Sequence, residues 1–273
     1  KEKIMSVNQI STKELEILAP TLFTEEPHSD VSDKYHFIKT IDVIEEIKAH
    51  NWYPVSVKVS NVRDIEKNGF QQHCVRFRHF EDLLNPQDNA VELLLFNSHD
   101  RSKAFSISAG IFRFICANGL VLADSVFETY KIKHLGERDN DVANAVNQIT
   151  AIKDKLMNKI NTLSNIKLSQ LEKESFAKLS VPLRFEEHLE INHTDLLTPL
   201  RDEDYKDDLY TTLNVIQENL IRGNISGINK ESGRRFTSKE IKAISTDTHI
   251  NKGLWDIAEK IAFIKEPNYQ IAA

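Results

Sequence analysis

The densest group of chemically capable side chains is Glu186-Glu187-His188-Leu189-Glu190-Ile191-Asn192-His193, which mixes carboxylates with imidazoles. Carboxylate oxygen suits hard cations and imidazole nitrogen borderline ones, so His188 and His193 are candidate metal ligands. The helical metalloprotease pattern sets a glutamate directly after its first histidine and the second histidine four positions along. The spacing here differs, and a solvated polar segment is the competing reading. A second group, His99-Asp100-Arg101-Ser102, falls between two strand-like stretches. On such a loop His99 and Asp100 can serve as acid, base or ligand, or make a polar turn that satisfies local backbone donors. Neither group is assigned a catalytic role, and no metal site is expected from them. No cofactor is expected either, because the 8 glycines never cluster as phosphate-binding loops, dinucleotide fingerprints and nucleophile elbows require.

Cations give the stronger lead. Strict strand alternation puts Lys58, Arg76, Arg78, Arg113, Lys131 and Lys133 on the faces opposite Val57, Phe77, Phe112 and Ile132. If strand order gathers them on one surface, that surface is a basic stripe able to follow a phosphate backbone, with Arg101 nearby on its loop. The alternative is that these charges are scattered, or covered by acidic helices carrying Asp202-Glu203-Asp204 and Asp207-Asp208. Between Arg222 and Lys242, six basic residues (Arg222, Lys230, Arg234, Arg235, Lys239, Lys242) face two acids (Glu231, Glu240), a local charge of +4. Asn229 to Phe236 reads as a hairpin or loop whose Arg234 and Arg235 suit phosphate or an acidic protein partner.

The elements that must position these groups follow from periodicity. Lys13–Ala19, stopped by Pro20, and Thr40–His50, with Ile41, Ile44 and Ile47 on one face, read as helices. From Trp52 to His134 the period falls to two: Val55, Val57 and Val59, then Val75 and Phe77, alternate with polar residues. Strands continue at Val91–Phe96, Ala104–Ile115, Leu120–Leu122 and Glu128–His134, with Asn118-Gly119 as a turn. Beyond Asp141, Val142, Val146, Ile149, Ile152, Leu156, Ile160 and Leu163 recur at helical spacing. Ser169 and Glu172 have capping-box spacing, a helix from about Tyr205 ends at Gly223, and a last helix spans about Asn251–Ile264. The fold class is therefore α+β, with an antiparallel sheet in the N-terminal half packed by helices mainly from the C-terminal half. The division falls between a sheet-rich part, 1–137, and a helix-rich part, 138–273, or marks a change of layer within one domain.

At 273 residues the chain can bury a substantial core, and 40% hydrophobic with 28% charged residues is ordinary for a folded protein. The formal charge of -6 exerts no global pull on nucleic acid, so any polyanion site must be local. Two cysteines, Cys74 and Cys116, inside strand-like stretches argue for buried thiols over a disulfide framework or zinc knuckle. No run approaches the length of a membrane span and Lys1–Ile10 lacks a signal-peptide core, so a cytoplasmic protein without membrane contact is expected.

Two groups of segments resemble a known family. Ser98-His99-Asp100-Arg101-Ser102 followed by Gly110-Ile111-Phe112-Arg113-Phe114-Ile115-Cys116-Ala117-Asn118-Gly119-Leu120 is one, and Asn214-Val215-Ile216-Gln217-Glu218-Asn219-Leu220 with Gly223 is the other. With Gly233-Arg234-Arg235 and Asn251-Lys252-Gly253-Leu254-Trp255, they resemble the phage/plasmid-like family called domain of unknown function 932, over roughly residues 35 to 265. The resemblance implies a protein of phages, plasmids or integrating elements, and supplies no reaction. The leading expectation is a non-enzymatic protein that binds nucleic acid, single-stranded DNA first, for recombination, replication or element maintenance. A protein-binding antagonist of a host defence system, with a host or phage protein as partner, is the second reading. A metal-dependent nuclease or hydrolase is the third.

Overall fold

The computed structural model describes residues 9–31, 35, 37–62, 64–113, 118–121, 141–266 and 268. It is an α+β chain that divides into two compact units, Lys1–Phe114 with Glu128–Asp154, and Ile115–Phe127 with Lys155–Ala273.

In the first unit, α1 (Thr12–Leu18) opens on a capping box: the Ser11 hydroxyl accepts from the Glu14 N–H, and the Glu14 carboxylate accepts from the Ser11 N–H at 2.8 Å. Pro20 then starts a 3-10 turn, Pro20–Phe23. Helix α2 (Thr40–Ala49) buries Val43, Ile44 and Ile47, one face of its 3.6-residue period. Strands β1 (Trp52–Val59) and β2 (His73–His79), helix α3 (Phe80–Leu84) and strands β3 (Asn89–Asn97) and β4 (Ser106–Arg113) follow. The four strands pair antiparallel in chain order. One face is a dry core of Val75, Phe77, Leu93, Leu95, Ile107, Ala109 and Ile111. Trp52 adds an indole hydrogen bond to the Thr150 hydroxyl, 3.1 Å, in the part of helix α4 (Asp141–Asn165) that belongs to this unit.

The second unit holds the short strand β5 (Asn118–Val121), so the pair expected as a turn instead opens a strand. The strand expected at Glu128–His134 and the thiol of Cys116 lie outside the described residues, whereas Cys74 is a buried free thiol. Helix α4 carries the expected apolar stripe, and α5 (Gln170–Ser180) begins at the Ser169–Glu172 capping box. After β6 (Leu189–Ile191), α6 (Leu209–Arg222) is buried along almost all of its length. It starts later than Tyr205 because Asp208 caps it, accepting from the Thr211 N–H at 2.7 Å, while Asp202–Asp204 form a separate 3-10 turn. Gly223 ends it at φ 80°, where a Cβ would lie 2.7 Å from the Lys239 carbonyl. Strands β7 (Ser226–Asn229) and β8 (Arg235–Thr237) join β6 in a three-stranded antiparallel sheet. The last helix, α7 (Ile244–Lys265), begins well before Asn251, burying Ile244 and Ile250 ahead of Leu254 and Trp255. Among the described residues no helix is long and apolar enough to cross a membrane.

Candidate functional site

His99 lies just past the end of β3 and is fully buried. Its backbone is tied on both sides, donating to the Phe70 carbonyl at 2.8 Å and accepting from the His28 N–H at 2.9 Å. Its Nε2 sits 3.4 Å from the Thr40 hydroxyl, which also lies 2.9 Å from His73 Nε2 and accepts from the Asn97 amide at 3.0 Å. The protons can be assigned. His73 Nδ1 is 3.1 Å from the Gln71 carbonyl, so it must donate there, leaving Nε2 to accept the Thr40 proton. Thr40 then accepts from Asn97 and from His99 Nε2. Burial, followed by the neighbouring His99, pushes the His73 imidazole down to about 3. A hydroxyl donating to a histidine oriented by a third group is the arrangement of an activated nucleophile. Here Thr40, His73, Asn97 and His99 are each 0% exposed, which leaves a substrate no access and makes the network an internal brace for the loop. On that loop Ser98 bonds both the carbonyl and the N–H of Lys103, Asp100 accepts from the Ser102 N–H at 2.9 Å, and Arg101 is exposed at φ 64°. Burial, the largest single influence, raises the Asp100 carboxyl, but hydrogen bonds from Ser102 and Ser98 and the charge of Lys67 together hold it below its ordinary range. Among the described residues no three His, Cys, Asp or Glu side chains are grouped to hold a metal ion.

The sheet cations of the first unit divide between its faces. Arg78 stands directly opposite Glu92 across β2 and β3, with Arg76 on the diagonal. Glu92, 2% exposed, accepts from Arg76 Nε at 2.6 Å and Arg78 Nη2 at 2.7 Å. Both guanidiniums also lie over the Phe112 ring, 4.3 and 4.9 Å from its centroid. Lys58, opposite Cys74, shares this face and is half-buried. Arg113 pairs with Asn89 on the other face, beside Ile111 in parity, and is buried. Lys131 and Lys133 lie outside the described residues.

In the second unit the basic segment is a hairpin. The Asn229 N–H donates to the Arg234 carbonyl at 2.9 Å, and its side-chain oxygen accepts from the N–H groups of Glu231 and Ser232, with Gly233 at φ 68° closing the turn. Lys230, Arg234, Arg235, Lys239 and Lys242 are exposed, and among the described residues none engages an ion pair. Arg222 is 3.9 Å from Glu218, a carboxylate already held by both guanidinium nitrogens of Arg201. The hairpin's base is fastened by Arg184, which donates to the carbonyls of Leu220 and Lys239.

A groove of about 770 Å³ lies on this small sheet. The register sets Glu190, Ile228 and Arg235 in one cross-strand row and Ser226 with Thr237 in the next, all of them exposed. Ile228, 45% exposed, is the apolar centre of that face. Phe236 borders the groove from the opposite parity, packed over Gly227, where a Cβ would come within 2.7 Å of its ring and 2.5 Å of the Glu190 carbonyl. His193 lies at the groove in a 3-10 turn capped by Asn192, whereas His188 faces Glu186 at 3.4 Å. Sequence reasoning had Arg235 and His193 but not Glu190, Ser226, Ile228 or Thr237 as neighbours, because β6 and β8 are three residues long and show no period. Three of the acids expected to cover a basic face are engaged internally: Asp204 with Arg201, Asp207 with Lys173, and Asp208 at the start of α6, whereas Asp202 and Glu203 are exposed.

A family model described as "Domain of unknown function (DUF932)" matches residues 27–255. The chain is 30% identical over 253 residues to two Escherichia coli (strain K12) proteins, "UPF0380 protein YafZ" and "UPF0380 protein YfjQ". Each alignment covers 92% of this chain and 91% of the relative. No solved structure matches the chain.

Proposed function

The chain belongs to the DUF932 family, and from that footing we propose that it binds single-stranded nucleic acid through the groove and basic hairpin of its second unit. The observation that carries this reading is the row of exposed cations from Lys230 to Lys242, free of ion pairs among the described residues, beside a groove with an apolar floor. Phosphates attract to such cations by counterion release, and unstacked bases can lie on Ile228 between the Ser226 and Thr237 hydroxyls and Arg235. A duplex hides its base faces, so the floor favours a single strand. The sheet cations of the first unit are a poorer phosphate track, since Arg76 and Arg78 already share the Glu92 carboxylate, which cancels one of their two charges. The activity is binding without catalysis, in the DNA handling of a phage, plasmid or integrating element.

Fluorescence anisotropy with labelled oligo(dT) and a matched duplex, across a salt series, tests this reading. Binding that favours the single strand and weakens steeply with salt is expected. No binding at low salt, or equal binding in the Arg234→Ala/Arg235→Ala protein, would refute it.

A further inference from the structure

The row Glu190–Ile228–Arg235 crosses three adjacent strands, so its ends stand two inter-strand spacings apart, about 10 Å. It presents a cation, an apolar surface and a carboxylate in line on one exposed face. Glu190 makes no ion pair with Arg235, and among the described residues its carboxylate has no other partner. A nucleotide presents the same sequence of chemistry in the same direction: phosphate, base face, pairing edge. We infer that Glu190 is the specificity-determining residue of the groove, accepting hydrogen bonds from the exocyclic amino group of a base whose phosphate is held by Arg235. This rests on the nucleic-acid reading above and deepens it.

A carboxylate only accepts hydrogen bonds, so it discriminates by what the base edge donates. Cytosine offers its N4 amino group where thymine has the carbonyl O4, and Glu paired with cytosine N4 is a recognised contact. Where cytosine has N4, thymine places its O4 against the Glu190 oxygens, acceptor against acceptor, and keeps only its N3–H as a donor on that edge. The hydroxyls of Ser226 and Thr237 in the neighbouring row donate or accept as required and carry no preference of their own.

The test measures binding of labelled oligo(dC) and oligo(dT) of equal length, at neutral pH and fixed salt, to the wild-type chain and to Glu190→Gln. Glu190 is exposed, so the substitution leaves the fold undisturbed. Wild type is expected to favour oligo(dC) about tenfold. In Glu190→Gln, whose amide both donates and accepts, the preference falls to about twofold or less and oligo(dT) binding strengthens. Equal binding of the two strands by wild type, or a preference unchanged in the variant, overturns the role of Glu190 while leaving the nucleic-acid reading standing. Failure of both strands to bind removes that reading and this inference together.

Discussion

The four-stranded sheet and the three-stranded sheet both carry arginines on a polar face, and they use them in opposite ways. In the larger sheet Arg76 and Arg78 close on Glu92 and stack over Phe112, so both guanidiniums are engaged inside the protein and one of their two charges is cancelled there. In the smaller sheet Arg235, with Arg234 at the turn, meets no carboxylate among the described residues and faces solvent. A basic strand pattern therefore indicates a ligand only when its counter-charge is not supplied by the next strand. Glu92, set between Val91 and Leu93, is the residue that decides the matter for the first sheet.

This contrast breaks most easily at Glu92. Glu92→Gln leaves two guanidiniums without their carboxylate, one of them buried, and is expected to cost about 3 to 5 kcal/mol of stability, measured by urea denaturation. A loss under about 1 kcal/mol would mean that Glu92 does not hold Arg76 and Arg78 as a buried charge cluster.

Next in size is a pH effect confined to the buried polar network of the first unit. His73 titrates near its ordinary value of 6.5 when unfolded and at about 3 when folded, so between these values the unfolded chain holds the extra proton. Stability is then complete above pH 6.5 and falls towards pH 3, by at most about 1.4 kcal/mol per pH unit from this group. Denaturation midpoints taken from pH 7 to 4 should decline, and the decline should be shallower in His73→Gln. An identical slope in the two proteins would contradict the assignment.

The smallest stability effect belongs to the exposed hairpin. Arg234→Ala/Arg235→Ala should change unfolding free energy by no more than about 0.5 kcal/mol. The same variant should flatten the salt dependence of oligo(dT) binding, by about 0.7 in the log–log slope for each phosphate that the protein no longer neutralises. Large destabilisation with an unchanged slope would reverse the contrast between the sheets.

Much of this was legible in the sequence. Two-residue alternation located β1 and β2, apolar runs located β3 and β4, the Ser169–Glu172 spacing located the start of α5, and Gly223 located the end of α6. The side taken by Arg113 was not legible, because Gly110-Ile111-Phe112-Arg113-Phe114 is apolar in both parities. The register settles it by turning Ile111 and Ala109 to the core and Phe112 to Arg76 and Arg78. Nor was the pairing of Glu92 with arginines a whole strand earlier, since it depends on register rather than on spacing. The early start of α7 hid behind Ser245, Thr246 and Thr248, weak helix formers whose placement tertiary packing of Ile244 and Ile250 decides.

The most direct test of where this protein meets a nucleic acid is ultraviolet crosslinking of bound oligo(dT), with the attachment sites found by proteolysis and mass spectrometry. Adducts within Ser226–Thr237, at Phe236 foremost, are the predicted result. Adducts concentrated in His73–His79 or Ser106–Arg113, with none in the hairpin, would contradict it and return the interface to the larger sheet.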